Sequence, residues 1–493
     1  MIMDIVLPTS TLTILLPEIV LTAFAFGIVL LGLIQRLRNT LGYLAFVGTL
    51  ASLVLVIMNF GVEGTLLYNS LVFDPLSQFF KVVFLLVTLL TIIASIRYYH
   101  DHLHQGEYYF LLLIATVGMM FVASANDLIA LFVAFELGSI ATYVLAAFDK
   151  DDPRSIEAGF KYFMIGALSS AILLLGMSLI YGITGTTNMT TLSQMSFELG
   201  GYTLAALVLI VAGLGFKMAL VPFHMWAPDT YQGAPTVVSA MLAAGSKKMG
   251  FVAAFKLIIL ALLALRTEWY MVFAIIAVIT MTYGNLVALT QRSLKRMLAY
   301  SSIAQAGYIT MAFVIVSYTH VDSVVNLAMG GALFYILSHA FMKGGAFLAV
   351  GAVGYMLVRD RVKTMLAEDD IENFSGLSKT APITAFSLAV FLFALAGIPL
   401  TAGFVSKLLI FSSAIYGGLA WLAVIAILNS ALSLFYYARV VKVMYWDEPK
   451  FELGGEPTAY VVAVLLALLG TVILGVYPGP FVDVAMRVAE VFL

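Results

Sequence analysis

Charged residues inside hydrophobic stretches are the feature of this 493-residue sequence that could do chemistry. Glu136 lies in one such stretch, Lys217 in a second and Lys247 in a third. A charged side chain at the centre of a membrane helix costs about 2.5–3.5 kcal/mol on insertion scales. Such residues usually face a bundle interior or a water-filled cavity, where they mark ion paths. The pattern therefore predicts an ion path across a membrane.

The stretch from 213 to 250 contributes most to this prediction. Lys217 lies inside a hydrophobic segment that Pro222 breaks shortly afterwards, and Lys247 lies in the next segment. Proline-broken helices at membrane depth are tolerated only where protein or water satisfies the freed backbone groups. A broken helix flanked by buried lysines therefore indicates ion movement at the break.

Glu136 and Lys217 are expected near the middle of the membrane, about 15 and 21 Å from the start of their helices. Burial disfavours the charged form of a lysine, and a nearby carboxylate favours it. If Glu136 approaches Lys217, a change in their separation makes the lysine hold or release a proton. The alternative is a static ion pair that locks two helices together. Further ionisable groups in other segments favour the relay, because a purely structural bundle would use apolar residues.

Four further residues are candidate members of the relay. Lys407 lies in the segment at 382–415, and Lys343 lies in the segment at 324–357. His339 is one turn before Lys343 on the same helical face, and histidine changes its charge near neutral pH. His224 follows the proline break, so it either satisfies the broken backbone or carries protons.

The neighbouring Lys247 and Lys248 are expected to have different roles. Adjacent residues point about 100° apart on a helix, so both cannot face one cavity. We expect Lys247 to belong to the relay, and Lys248 to extend towards the membrane surface or to neighbour the path. Glu136 is the one clear carboxylate inside a hydrophobic segment. Because sodium ligands are carboxylate and carbonyl oxygens, this scarcity favours protons over sodium.

The composition identifies a polytopic membrane protein. Hydrophobic residues make up 62% of the chain and charged residues 11%, whereas an ordinary soluble domain is about 25% charged. The net charge of −2 argues against a nucleic-acid partner. The chain has no cysteine, which excludes disulfides, thiolate metal sites and cysteine-ligated iron–sulfur clusters within it.

The hydropathy pattern predicts an all-α fold of about 14 transmembrane helices, because a spanning helix needs about 20 mostly apolar residues. Three segments are long enough to be broken or strongly tilted, namely 203–231, 324–357 and 382–415. The predicted segments are 13–35, 41–60, 74–97, 108–124, 127–148, 157–182, 203–231, 235–263, 269–290, 296–318, 324–357, 382–415, 417–445 and 458–478.

Two blocks of five segments have the same order, each with a broken fourth segment. Because five is odd, the blocks would enter the membrane from opposite sides, as in an inverted repeat. The pairing depends on segment count and break position. It predicts N-terminal helices at 1–107, a first repeat at 108–263, a second repeat at 269–445 and a C-terminal helix at 446–493.

Loop charge predicts the orientation of the chain. Loops after odd-numbered segments hold nearly all loop lysines and arginines, whereas loops after even-numbered segments hold Arg266 alone. The positive-inside rule places the basic loops in the cytoplasm. Both termini are therefore expected outside.

Five long stretches between about 74 and 445 carry a resemblance to a known family. The chain resembles subunit N, an antiporter-like proton-pumping membrane subunit of the respiratory complex I family, which includes archaeal deazaflavin-coenzyme dehydrogenases. The matching stretches are ANDLIALFVAFELGSIATYVL, SIEAGFKYFMIGALSSAILLLGMSLIYGITGTTN, FKMALVPFHMWAPDTYQGAP, GNLVALTQRSLKRMLAYSSIAQAGY and GLSKTAPITAFSLAVFLFALAGIPLTAGFVSK.

The resemblance implies a role for several residues. It implies that Glu136, Lys217, Lys247 and Lys407 form the proton relay. It also implies that a peripheral arm holds the flavin and iron–sulfur clusters and reduces a quinone-like acceptor, and that this chain itself binds no cofactor: no flavin, cluster or quinone. The implied partners in the membrane of a prokaryotic cell are the L- and M-type antiporter-like subunits, the small K, J and A types and the quinone-site H type.

Several alternatives stay open from the sequence. The stretch SHAFMKGGAF, which contains His339 and Lys343, is more similar to the sister antiporter subunits and to multisubunit sodium/proton antiporters than to most N subunits. The chain could thus belong to an Mrp-type cation/proton antiporter or a membrane-bound hydrogenase, or it could be a non-conducting scaffold. The electron donor of a complex I-like assembly could be NADH, ferredoxin or a deazaflavin coenzyme.

Overall fold

A computed structural model describes residues 9–100, 102–197, 200–362 and 367–493, with side chains from residue 13 onward. The fold is all-α apart from one small hairpin, β1 (Gly64–Leu66) and β2 (Leu71–Phe73). The helices are α1 (Thr9–Gly32), α2 (Leu41–Met58), α3 (Pro75–Tyr98), α4 (Gln105–Ser124), α5 (Leu128–Ala146), α6 (Pro153–Thr184), α7 (Met189–Ser193), α8 (Gly201–Met218), α9 (Trp226–Gly233), α10 (Thr236–Met241), α11 (Lys247–Ala254), α12 (Arg266–Leu289), α13 (Leu294–Tyr318), α14 (Asp322–Arg359), α15 (Leu377–Thr380), α16 (Pro382–Ala396), α17 (Ala402–Tyr416), α18 (Ala420–Trp446), α19 (Thr458–Val476) and α20 (Gly479–Ala489).

The predicted count of about 14 membrane segments is confirmed. Among the described residues, 12 helices are long and apolar enough to cross a membrane. The shorter α16 and α17 together occupy the segment predicted at 382–415. The segment predicted at 235–263 contains α10 and α11, with π-helical turns at Leu242–Ser246 and Phe255–Ala261.

Two of the three long segments are broken, and one is continuous. The first break separates α8 from α9, and the second separates α16 from α17. The third long segment is α14, an unbroken helix of 38 residues. The breaks therefore coincide with Pro222 and Pro399, which remove backbone donors and disfavour a continuing helix.

The centre of the bundle is α13, whose residues are almost all buried from Leu294 to Ser317. The outer helices instead present apolar side chains outward. On α6, for example, Phe160, Leu168 and Leu175 are exposed. In a bilayer such a face contacts lipid, so polar groups are confined to the interior of the bundle.

The hairpin belongs to a group of loops at one end of the bundle. The amide of Asn126, between α4 and α5, donates to the Ser70 carbonyl at 2.8 Å. The Met189 amide, at the start of α7, donates to the Asn126 carbonyl at 2.9 Å. These loops follow even-numbered segments, so they lie on the side that the charge rule predicts to be outside.

Helices α4 and α5 approach closely where Gly118 faces Gly138. A Cβ atom built on Gly118 would lie 2.4 Å from the Gly138 backbone nitrogen. Small residues at such crossings let membrane helices pack backbone to backbone. Because Glu136 is two residues before Gly138, this crossing also fixes the position of the glutamate.

We expect Gly118→Ala to force α4 and α5 apart and to destabilise the protein by about 1–3 kcal/mol, the usual range for overpacking. Gly27→Ala is the matched control, because no atom lies within 4 Å of its added Cβ. Thermal unfolding of the purified complex in detergent measures both variants. Equal midpoints for the two would contradict the close packing.

Candidate functional site

Lys217 lies at the C-terminal end of α8 and is fully buried. Its ammonium donates to Ser139 Oγ at 3.1 Å and to Tyr162 OH at 2.9 Å. Three aromatic ring centroids also lie within 6 Å of Nζ, a range in which a ring face attracts a cation. They belong to Phe135, Tyr143 and Tyr162. Lys217 is therefore held by neutral groups.

Glu136 is half-buried on α5, one turn from Ser139, and accepts a short hydrogen bond from Ser170 on α6. Of the ion pairs that join described residues, none links Glu136 to Lys217. The static ion pair is thus not formed in this structure. Glu136 on α5 bonds to α6, and Lys217 bonds to both α5 and α6. The two residues therefore border the α5–α6 interface, each with its own partners.

The break after α8 is stabilised by neighbouring protein groups. Ala219 adopts a left-handed conformation with φ of 53° and ends the helix. The Leu220 amide donates to the Gly215 carbonyl at 2.9 Å, and the Val221 amide donates to Thr280 Oγ1 on α12 at 3.1 Å. The backbone freed by the break is therefore satisfied inside the bundle, as a membrane interior requires.

His224 is buried within the same break. Its ring packs edge-on against Tyr283, with 4.8 Å between ring centroids. Within the described residues its Nδ1 has no hydrogen-bond partner, and Lys247 is an electrostatic neighbour. His224 thus lies between the break and the central lysines, in a position open to either of the roles predicted for it.

The segment at 235–263 places Lys247 and Lys248 in the centre of the bundle, directly after a π-helical turn. Lys247 Nζ donates to the Ser302 carbonyl at 2.7 Å. Lys248 Nζ lies 2.7 Å from His339 Nδ1. Of the two alternatives expected for Lys248, extension towards the membrane surface was wrong, because its side chain is buried. Its contact with His339 agrees with the other alternative, a position beside the candidate relay residues.

Lys343 begins a chain of hydrogen bonds that crosses the second half of the molecule. Its ammonium donates to Ser301 Oγ at 2.6 Å, and Ser301 bonds the hydroxyl of Tyr437. Tyr437 contacts Tyr436, whose hydroxyl donates to Asn285 Oδ1 at 2.9 Å. Such a chain of hydroxyl groups can pass a proton from one oxygen to the next.

The chain continues from Asn285 towards Lys407. Asn285 Nδ2 donates to Tyr308 OH at 3.1 Å. The Lys407 ammonium lies 5.2 Å from the centroid of the Tyr308 ring. Lys343 and Lys407 are therefore connected by side chains from α12, α13 and α18.

Lys407 closes the second helix break. Its Nζ donates to the carbonyls of Leu395 and Ala396, at 2.9 and 2.8 Å, and to Ser430 Oγ at 2.8 Å. These carbonyls end α16, where the helix dipole favours a cation. Gly397 has φ of +91°, and a Cβ there would lie 2.9 Å from Lys407 Cδ. Glycine therefore gives the lysine access to the helix end.

Sequence reasoning missed three buried charges. Lys81 on α3 lies 2.7 Å from Glu18 on α1, and both side chains are at most 2% exposed. Glu136 is consequently not the one carboxylate inside the membrane segments, and that expectation was wrong. Lys256 is also buried and donates to the Ala125 carbonyl at 3.1 Å. All three lie inside the predicted segments, so a scan for charges there would have found them.

Asp149 lies at the opposite end of the bundle from the hairpin, in the loop after α5. Tyr98 and Tyr99 donate to its carboxylate at 3.1 and 3.2 Å. Burial raises the pKa of Asp149 from its ordinary value, although these two hydrogen bonds oppose the shift. His102 lies beside it, and burial lowers the pKa of that histidine. Both residues line a cavity of about 520 Å³.

No group of three or more His, Cys, Asp or Glu residues in the described parts of the chain could hold a metal ion. The polar groups of the interior are instead lysines, hydroxyls, amides and one buried ion pair. This donor set suits proton transfer, because ammonium, imidazole and hydroxyl groups all exchange protons.

Comparison with known proteins agrees with this arrangement. Residues 125–433 match the family described as NADH:quinone oxidoreductase/Mrp antiporter, TM. The chain belongs to this family. It is 52% identical to the F(420)H(2) dehydrogenase subunit N of Methanosarcina mazei, covering 97% of this chain and 98% of that protein. It is 37% identical to the NADH-quinone oxidoreductase subunit N of Trichlorobacter lovleyi, covering 98% of both. The predicted resemblance to subunit N is confirmed.

Solved structures show the same fold. A chain of Thermus thermophilus respiratory complex I superposes with a TM-score of 0.78 at 29% identity, covering 95% of this chain and 99% of that one. A chain of an archaeal membrane-bound sulfane sulfur reductase gives 0.86 at 27% identity, covering 97% of both. A chain of the Mrp complex of Dietzia gives 0.81 at 22% identity, covering 96% of this chain and 97% of that one, a likeness of fold alone. The chain is an antiporter-like membrane subunit, and the Mrp alternative has less support.

We expect the Glu18–Lys81 ion pair to be structural. Lys81→Met leaves a buried carboxylate without its partner, which destabilises proteins by about 3–5 kcal/mol. The double variant Glu18→Gln with Lys81→Met removes both charges and should recover most of that stability. Thermal unfolding of the complex measures the cycle, and a double variant no more stable than Lys81→Met would contradict the pairing.

Proposed function

We propose that this chain is the proton-translocating subunit N of a complex I-type oxidoreductase. Electron transfer to a quinone-like acceptor, in other subunits, would drive a proton through its buried lysines. The observation that carries the proposal is the row of ammonium groups Lys217, Lys247, Lys343 and Lys407, each held by carbonyl or hydroxyl oxygens. The subunit N relatives support it.

In the first half, Glu136 and Lys217 would control proton transfer. Glu136 bonds Ser170 and Lys217 bonds Ser139. The two residues thus border the same α5–α6 interface without forming an ion pair in this structure. Movement of Glu136 towards Lys217 would favour the ammonium form, and its withdrawal would favour release of the proton. The carboxylate would thus set when Lys217 gives up its proton.

In the centre, the lysines would share fewer protons than there are sites. Lys247, Lys248 and Lys343 are electrostatic neighbours of one another and of His339. Repulsion between ammonium groups is strong in a low-dielectric interior, so charging all three at once is unfavourable. A proton arriving at Lys247 would therefore displace one towards Lys343, and from there along the bonded side chains that lead through Asn285 to Tyr308, whose ring faces Lys407.

The remaining features of the proposal concern the assembly. Flavin, iron–sulfur clusters and quinone would bind to partner subunits, which include the L-, M-, K-, J-, A- and H-type membrane subunits and a peripheral arm. Of the two curated relatives compared above, the more similar one is named for F(420)H(2), which favours that donor over NADH. The chain would lie in the plasma membrane of a prokaryote with both termini outside. The inverted repeats at 108–263 and 269–445 remain part of the proposal.

The test is Lys217→Ala in the complete complex, in sealed membrane vesicles. We expect proton pumping to fall at least tenfold and coupled electron transfer to fall with it, because no other group at that position can hold the proton. Lys442→Ala is the matched control, since Lys442 is exposed. Native gel electrophoresis establishes that both complexes assemble.

Pumping and electron transfer at wild-type rates in an assembled Lys217→Ala complex would overturn the proposal. The buried lysine would then be structural, and the subunit would be a scaffold. Transport that continues without electron transfer would instead identify a secondary antiporter. Co-purification of the chain with redox subunits separates these two outcomes.

A further inference from the structure

A cavity of about 330 Å³ opens at the end of the bundle that holds the hairpin. Its walls come from β2, the start of α3, the junction of α4 and α5, α7, the end of the 235–263 segment and residues 491–493. The polar residues that line it are Asp74, Asn126, Thr190, Ser193 and Lys256. The cavity thus brings five polar side chains together among apolar ones, on the side predicted to be outside, and no part of the relay described above uses it.

Lys256 is the charged group at the inner end of this pocket. It is 4% exposed, and its Nζ donates to the Ala125 carbonyl, which ends α4. The charged groups that act on it are Asp74 and Lys81, both from the start of α3. Lys81 is already paired with Glu18. Asp74 lines the same pocket as Lys256, and no ion pair joins the two among the described residues. A proton would therefore pass between them through water.

The position of Lys256 relates it to the central lysines. It lies nine residues after Lys247 in the same segment, about 13 Å along a helix. A π-helical turn precedes Lys247, and a second one contains Lys256. Such turns re-aim side chains and occur frequently at functional sites. The segment thus places Lys247 and Lys248 in the bundle centre and Lys256 at the outer pocket.

Aromatic rings pack around the part of the segment that joins Lys247 to Lys256. The ring of Phe255 stacks on Phe313, with 5.1 Å between centroids and 22° between planes. Phe80 and Phe251 pack against the same ring at 6.2 and 6.3 Å. These four rings form a phenylalanine layer beside the segment between Lys247 and Lys256. Among the described residues no hydrogen bond joins Lys256 to a central lysine.

We propose that Lys256, with Asp74, is an outer proton-release station of this subunit, on a branch that leaves the central lysines at Lys247 and does not pass through Lys343 and Lys407. When the phenylalanine layer parts, the Lys256 amine accepts a proton from the central lysines. Its ammonium then gives that proton, through water in the pocket, to the Asp74 carboxylate. The carboxylic acid formed releases the proton to the outer solvent, so one proton leaves for each one received and both groups return to their starting state. This role rests on the proposed pumping function and extends it to the outer surface.

The competing role for Lys256 is a simple cap, in which its ammonium only donates a hydrogen bond to the carbonyl that ends α4. A side chain that never loses its proton would fill that role equally well. Lys256→Arg distinguishes the two, because arginine keeps the charge and the donors but does not release its proton in proteins. We expect Lys256→Arg and Lys256→Gln to lower proton pumping by vesicles at least fivefold, with Lys442→Ala as control. Wild-type pumping by assembled Lys256→Arg would overturn the proposal.

Asp74→Asn tests the carboxylate without disturbing the helix. Asp74 caps α3 by accepting from the Ser77 amide at 2.7 Å, and asparagine is an equally good N-cap. We expect a two- to fivefold loss of pumping with an unchanged unfolding midpoint. Unchanged pumping would exclude Asp74 from the release station and overturn the pairing proposed here.

A cysteine variant tests both access and proton exchange, because the chain contains no other thiol. In Lys256→Cys, aminoethyl methanethiosulfonate added from the outer side should attach a titratable amine and restore pumping at least threefold. The trimethylammonium analogue carries the same charge without a proton and should not restore it. Absence of labelling by mass spectrometry, or labelling by the amine without recovery, would overturn the proposal.

Lys217→Ala, measured in the same vesicles, separates failure of this inference from failure of the proposed function. If Lys217→Ala stops pumping and Lys256→Arg does not, the relay stands and Lys256 is only a cap. If neither variant changes pumping, the subunit does not pump by this relay at all.

Discussion

The absence of water in the bilayer core is the constraint on which the rest of this structure depends. Each buried ammonium must find hydrogen-bond acceptors inside the protein, because an unsatisfied charge there is very unfavourable. Lys217 finds two hydroxyls, Lys247 a backbone carbonyl, and Lys407 two carbonyls and a hydroxyl. The helices are arranged so that these oxygens meet the lysines.

Helix breaks supply some of these oxygens. A continuous helix uses its carbonyls internally, whereas a helix that ends within the membrane leaves its last carbonyls available. The end of α16 presents such carbonyls to Lys407, and Gly397 allows the lysine to reach them. At the other break, Lys217 is itself on the last turn of α8. Both breaks therefore place a cation at a helix C-terminus, where the dipole favours it.

The buried charges fall into two groups with different physical behaviour. Glu18 and Lys81 neutralise each other directly. Moving either one would leave the other as an unpaired charge in a low-dielectric medium. The relay lysines instead bond neutral hydroxyls, carbonyls and an imidazole. Neutral partners can be exchanged without leaving an unpaired opposite charge, which suits groups that gain and lose protons.

Hydropathy, break positions and buried lysines could be recognised in the sequence alone, because each is a local property of the chain. They established the membrane class, about 14 segments and the family. They also located Glu136, Lys217 and Lys407. The positions of the breaks followed from proline and glycine, whose effects on the backbone are equally local.

Only the tertiary structure decided which groups are partners. It paired Lys248 with His339, placed Glu136 against Ser170 rather than Lys217, and joined Lys343 to Tyr437 through Ser301. These partners are far apart in the chain. A rotation of about 100° per residue decides which neighbour a helical side chain meets. That rotation is set by the packing of the whole bundle, so no single segment of sequence contains it.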